Sequence, residues 1–308
     1  MQQAVSRRTV VAGMLASAAM LCLKAPGIRA QEATPAASPS ASMFTGYPQL
    51  DVTITDSAAE VSMDQIPAGN IILNVINKTS SENSAGILGP GEGQTIDDLK
   101  NAAATPVADP DEFPPFLYDA AILGGPGTVA PGGSSQVLVT VPAGDWVIFT
   151  QGDLPPTFFT AVESADSNTT NPTAAVTVAM GDFYFGGFDN VAAGPQVWEV
   201  TNEGVQPHML VMGKVPDGTT FDQFMATLQT EMTGTPVAGG LDSDQVQFLN
   251  DGVFLLSKGQ TMWLPLDIAD GTYVVMCFVT DPNTGQPHVM EGMVNMFTTG
   301  GAAATPTS

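Results

Sequence analysis

Short stretches in which apolar and polar residues alternate recur along this chain, broken by Gly, Pro, Asn and Asp. Residues 50–54 (LDVTI) alternate, and so do 176–178 (VTV). A period of two puts the apolar side chains on one face of a strand and the polar ones on the other. Val, Ile, Thr and the aromatics suit such a half-buried pleated surface. Many short strands with turn signals between them predict an all-β sandwich architecture.

The same plan occurs twice. VTI at 52–54 answers to VTV at 176–178, and the turn IPAG at 66–69 to VAAG at 191–194. A β-rich run then ends in Asn77 in one copy and Asn202 in the other. Each copy continues into one short helical insert. Thr95 can cap IDDLKNAAA, with Asp98 three residues on, and Thr220 can cap FDQFMATLQTEM. Both copies return to strands, at 134–150 and 259–277, with Gly144 and Gly271 marking equivalent turns. A fixed internal period of this kind predicts two tandem Greek-key sandwiches with short helical inserts, at 47–165 and 173–299. The join falls near 164–172. One large sandwich with insertions is the alternative.

The ends read differently. Arg7 and Arg8 precede an apolar stretch at 10–23 and a small-residue region ending at Ala30. That is the form of an export signal of the twin-arginine kind over 1–30. Its apolar stretch is short for a membrane span, so cleavage is expected, with an uncleaved anchor as the alternative. Residues 31–46 and 300–308 are rich in Ala, Pro, Ser and Gly, a composition that buries too little to order itself. All 31 acids lie after residue 30, but four of the eight basic residues lie within the leader. The body therefore carries four basic residues against 31 acids, a net charge of −27. Such a surface repels nucleic acid and anionic membranes. No later segment is a membrane span by length and apolarity, and the exported body is expected in the periplasm or outside the cell.

Export gives the cysteine count meaning. Cys22 leaves with the signal, so Cys277 is the one thiol of the mature chain and needs an explanation as an inert core residue, an intermolecular bridge or a metal ligand. The chain has two histidines, His208 and His288, and Met293 follows the second by five positions. Two imidazoles, a thiolate and a weak thioether are the ligand set of a blue-copper site.

Two local motifs carry a family resemblance. One is NEGVQPH at 202–208. The other is Cys277, ten residues, His288, four residues, Met293. Here the chain resembles the cupredoxins, in particular the plastocyanin-like kind. The resemblance implies one type 1 copper held by His208, Cys277, His288 and Met293, with Met290 as a rival axial ligand. It implies a single-electron carrier rather than an enzyme. The partner would be another redox protein, cationic if acidic charge steers it, docked near His288 where that histidine reaches the surface. A copper storage or delivery module is the alternative. A copper oxidase or nitrite reductase, which tandem cupredoxins also resemble, needs several more imidazoles than this chain has. The loop between Cys277 and His288 is longer than in small cupredoxins, though Asp281-Pro282 and Thr284-Gly285 suggest a compact pair of turns. The first copy has Thr150 where the second has Cys277, and Asn83-Ser84-Ala85 in the region of His208.

Overall fold

The computed structural model describes residues 43–103, 113–150 and 154–300. The expected signal, most of the expected linker and the tail from residue 301 lie outside the described residues. The first half holds β1 (Gln49–Ile54), β2 (Ala59–Val61), β3 (Gln65–Pro67), β4 (Gly69–Asn77), β5 (Ala85–Gly89), α1 (Ile96–Ala103), α2 (Phe116–Asp119), β6 (Ala121–Gly124), β7 (Ser134–Val141), β8 (Gly144–Thr150) and β9 (Thr157–Val162). The second holds β10 (Val176–Gly181), β11 (Tyr184–Gly186), β12 (Gly194–Asn202), β13 (His208–Val215), α3 (Phe221–Thr233), β14 (Gln247–Leu256), β15 (Thr261–Ile268), β16 (Gly271–Met276) and β17 (Val294–Thr299). The fold is all-β with short helical inserts.

The strands form two layers, and both layers run through the two halves. The large sheet has the order β11-β10-β12-β15-β7-β4-β1-β2. From either end it reads the same way. A three-residue edge strand comes first, then a six-residue strand parallel to a nine-residue one, then an eight-residue strand at the midline. The midline pairing is short, Met262 with Val139 and Trp263 with Leu138. The other layer consists of β3-β9-β8-β5-β6 and β14-β13-β16-β17. These two sheets meet where Pro126 bridges Val253 and the Phe254 amide donates to the Gly125 carbonyl at 3.1 Å. Ser257 Oγ adds a side-chain tie, donating to the Ala120 carbonyl and accepting from the Ile122 amide.

Local sequence explains the elements. In β1 burial alternates strictly, as its polar and apolar residues do. β4 is buried almost throughout, because Phe44 packs against Ile72 and the join at Thr170 and Asn171 bonds Asn70 on its outer face, while the core covers its inner one. α3 opens with a capping box, the Thr220 hydroxyl accepting from the Gln223 amide while the Gln223 side chain accepts from the Thr220 amide, and closes at Gly234 with φ 67°. α1 is started by the expected Thr95 and Asp98 pair.

The core lies between the layers. Trp198 packs with Phe188 and Phe297, at 5.5 and 5.9 Å between ring centroids. Burying side chains of this size stabilises by roughly 1.5–3 kcal/mol each. α3 lies outside the smaller layer, with Phe224 and Leu228 in a cluster with Val274, Met276 and Val289. Both ends of the Cys277–His288 loop are thereby backed by packed side chains.

The contact between the halves depends on bare backbone. The Gly127 amide donates to the Gly252 carbonyl at 3.0 Å, and a Cβ at Gly127 would lie 2.5 Å from the Asn250 carbonyl oxygen and 3.0 Å from the Gly252 nitrogen. Gly127→Ala should therefore lower stability by about 1–3 kcal/mol, since overpacking at a rigid contact moves backbone. A lower denaturant midpoint than the parent's in chemical unfolding checks this, and an unchanged midpoint contradicts it.

Candidate metal centre

Three separate segments deliver His208, Cys277 and His288 to one point. β16 ends at Met276, so Cys277 follows the last residue of a central strand, with its amide donating to the Met293 carbonyl and its carbonyl accepting from the Val289 amide. His208 opens β13, the strand beside β16. His288 is the first residue of a single 3₁₀ turn, His288–Glu291, which Gly292 closes at φ 109°. The Met293 amide donates back to the His288 carbonyl.

The long loop does not open the site. The Thr280 and Pro287 backbones bridge, the His288 amide donates to the Val279 carbonyl at 2.8 Å, and the Asp281 amide to the Gln286 carbonyl at 2.8 Å. The extra residues are pinched off as a turn, with the Asp281 carboxylate accepting from the Asn283 amide and side chain. Tyr118, on α2 of the first half, donates its hydroxyl to the Thr280 carbonyl. On the other side, the loop before His208 is clasped by Asn202, which is fully buried. Its amide group donates to the Gln206 and Leu256 carbonyls, and its oxygen accepts from the Gly204 amide. Asn77 makes the corresponding bonds in the first half, to the Ser81 and Val129 carbonyls and from the Thr79 amide.

The donor atoms form a triangle. His208 Nδ1 and His288 Nδ1 are 3.1 Å apart, and Cys277 Sγ lies 3.9 and 3.5 Å from them. A metal in a trigonal plane at about 2.0 Å from nitrogen and about 2.3 Å from sulfur separates such donors by about 3.5 Å (N to N) and about 3.7 Å (N to S). The fit extends to hydrogen. His208 Nε2 contacts the Asp182 carboxylate at 3.0 Å, and His288 Nε2 contacts the Gln206 side-chain oxygen at 2.9 Å. Both partners are acceptors, so each neutral ring carries its proton on Nε2 and turns a bare Nδ1 lone pair inward. Two such lone pairs face each other in a space that a cation would fill.

The electrostatics favour neutral groups until a cation arrives. Burial pushes the Cys277 thiol up to about 12, against the backbone N–H groups of Met209 and Val279. Burial, then the neighbouring His208, pushes His288 down to about 4, with Asp281 and Asp182 opposing. Burial also lowers His208, with Asp182 opposing. Burial alone would raise Asp182, but the Val205 and Gln206 amides and His208 outweigh it and hold the carboxyl below its ordinary value. Binding a metal here has to displace the thiol proton.

His208, Cys277, His288 and Met293 are all at 0% exposure. The resemblance implied a histidine at the surface; His288 is not there. Phe183 packs edge-on to its ring at 5.3 Å between centroids, and Gln206 covers its outer nitrogen. Met293 lies in the same core cluster as Cys277, whereas Met290 packs against the cluster under α3. Met276 belongs to the α3 cluster too, on the opposite face from the thiol.

Asp182 and Phe183 carry no motif in the sequence, and Gln206 lies inside NEGVQPH without being marked there as a partner of His288. Gln206 could have been suspected from its place two residues before His208. Asp182 is 26 positions away on another strand pair. In the first half, the ladder that sets Ala85 opposite Thr150 carries Asn83 to the place of His208. Neither Asn83 nor Thr150 is a type 1 ligand.

A scan against protein-family models and a search of curated proteins both find no match. Solved structures do resemble the chain. A dithionite-reduced auracyanin from Roseiflexus castenholzii is 20% identical, covering 42% of this chain and all of its own, with a TM-score of 0.27. A multicopper oxidase from Pediococcus acidilactici is 10% identical over 82% of this chain and 59% of its own, with a TM-score of 0.24. A blue copper oxidase from Nitrosomonas europaea is 10% identical over 82% of this chain and 86% of its own, with a TM-score of 0.23. The fold described above rests on strand order, not on these likenesses.

In metal-free protein, His288 should titrate near pH 4, as the Nε2–H tautomer, where an ordinary imidazole titrates near 6.5. The unfolded chain takes up this proton at higher pH than the folded one, so metal-free stability should fall as pH drops from 6.5 towards 4. Nitrogen chemical shifts of the imidazole and denaturant midpoints across that range read both effects. A midpoint near 6.5 for His288 contradicts the burial argument.

Proposed function

We propose that this chain is an exported cupredoxin-like protein that binds one type 1 copper at His208, Cys277 and His288, with Met293 as the axial thioether, and carries single electrons. The observation that supports it most is the triangle of two bare Nδ1 atoms and one thiol at 3.1, 3.5 and 3.9 Å, closed to water. The bound copper supplies one-electron chemistry between Cu(I) and Cu(II). The protein's part is to keep the donors still. Asp182 and Gln206 hold the outer nitrogens, Asn202 holds the loop before His208, and the pinched loop holds His288 against Cys277. Donors that cannot relax reduce the rearrangement that accompanies a change of oxidation state.

A closed site suits electron transfer better than substrate chemistry, which needs an open coordination position. The enzyme reading meets a shortage, since both histidines of the chain already serve this one centre. Storage or delivery calls for donors that can open to exchange a metal, and these are fully buried. Export is supported by the paired arginines ahead of an apolar stretch, outside the described residues. Among the described residues no helix is long and apolar enough to cross a membrane. A cationic redox protein would suit the body's charge.

Adding Cu(II) to purified mature protein should give one equivalent bound and an intense visible thiolate-to-copper band. Cys277→Ser should abolish the band. Met293→Ala should alter it and Met290→Ala should leave it unchanged. A folded, reduced protein without the band sinks the copper reading, and a band that does not bleach and return rapidly with mild reductant and oxidant sinks the carrier reading. If export occurs as proposed, intact-mass analysis of protein recovered from outside the cytoplasm should place the new N-terminus at Gln31. A mass retaining residues 1–30 contradicts cleavage.

A further inference from the structure

The two imidazoles are held by different partners. Gln206 offers His288 a neutral amide oxygen, and Asp182 offers His208 a carboxylate. We infer that Asp182 is a positioning residue whose charge, passed through the His208 ring, favours the oxidised state of a copper bound there and so lowers its reduction potential. This rests on the copper reading above.

The placement of Asp182 is built, not incidental. It lies on the turn between β10 and β11, where Gly181 pairs with Tyr184 and only Asp182 and Phe183 intervene. Phe183 has φ 69°, the one non-glycine residue with positive φ among those described. A bulky side chain in that region is strained and persists only where its surroundings fix it. Here Asp182 accepts from the Val205 amide at 3.0 and 3.1 Å, from the Gln206 amide at 3.3 Å and from His208 Nε2 at 3.0 Å. The loop that leads into His208 is thus fastened to the same carboxylate as the His208 ring. Space is cleared for the contact at Gly204, where a Cβ would lie 2.3 Å from Asp182 Oδ1 and 2.5 Å from His208 Nε2. The neighbouring Phe183 ring then falls on His288. One two-residue turn therefore touches both histidines, and it puts a formal charge on one alone.

Charge near a metal centre acts differently on its two oxidation states. A carboxylate hydrogen-bonded to a ligand makes the imidazole a stronger donor, and through the low dielectric of a buried site its charge stabilises the more positive metal. Removing the charge while keeping the shape should raise the potential. A role limited to fastening the loop would change stability instead.

The test compares copper-loaded wild type with Asp182→Asn and Asp182→Glu by spectroelectrochemistry. Asp182→Asn should keep the visible band at one copper per chain and shift to higher potential. At fixed ambient potential its Cu(I) to Cu(II) ratio should rise on the order of tenfold. Asp182→Glu should return towards the wild-type value. An Asn variant with an intact band and an unmoved potential overturns the inference. Wild type that binds no copper overturns the copper reading instead, so the two failures are distinguishable. Should the Asn variant not fold, proton NMR of the wild-type Cu(I) protein decides. A slowly exchanging, downfield Nε2–H on His208 supports the contact, and one that exchanges freely with water overturns it.

Discussion

Two imidazole nitrogens with no proton between them face each other across 3.1 Å, both rings fully buried. Each ring is held in that tautomer from outside, by Asp182 or by Gln206. Lone pairs at that separation repel, and no water reaches them to mediate. The surrounding structure has to hold an arrangement that its donors alone would relax. This accounts for the fully buried Asn202 clasp, for the backbone ladder that pinches the ligand loop, and for the strained Phe183. It also accounts for the neutral state of all three groups without metal, since burial works against charge on each of them. A cation reverses that preference at a stroke.

The two layers achieve this rigidity by extending beyond one half of the chain. The large sheet continues from β15 into β7, and the second layer from β14 to β6. The half with Asn83 and Thr150 in place of ligands reaches across through Tyr118, whose hydroxyl bonds the ligand loop at Thr280. The half without the His208–Cys277–His288 cluster thus does structural work on the site although it contributes no member of that cluster.

Much of this was legible in the sequence, for identifiable reasons. Strand-forming alternation and the capping residues are local signals, and β1, α1 and α3 follow them. The ligands stood out because the chain offers so few histidines and thiols. The loop after Cys277 announced its turns through Asp281-Pro282 and Thr284-Gly285. Contacts set by tertiary structure were not legible. Asp182 is one acid among 31, and nothing in its neighbours marks a turn that places Phe183 at positive φ. The burial of His288 depends on that same turn. Alternation in β7 and β15 shows which side chains face inward, but not that the two strands pair with each other.

The short strands at the rims give this pairing a further meaning. The large sheet ends in β2 and β11, three residues each, which offer little unpaired backbone to a stray chain. The long strands β7 and β15, eight residues each, sit in the middle, where each covers part of the other's open side. Parted from its neighbour, either half would present one of these long flat strands as a raw margin, an invitation to aggregate. The half without the cluster is therefore also a guard: it covers the long strand that the other half would otherwise leave open.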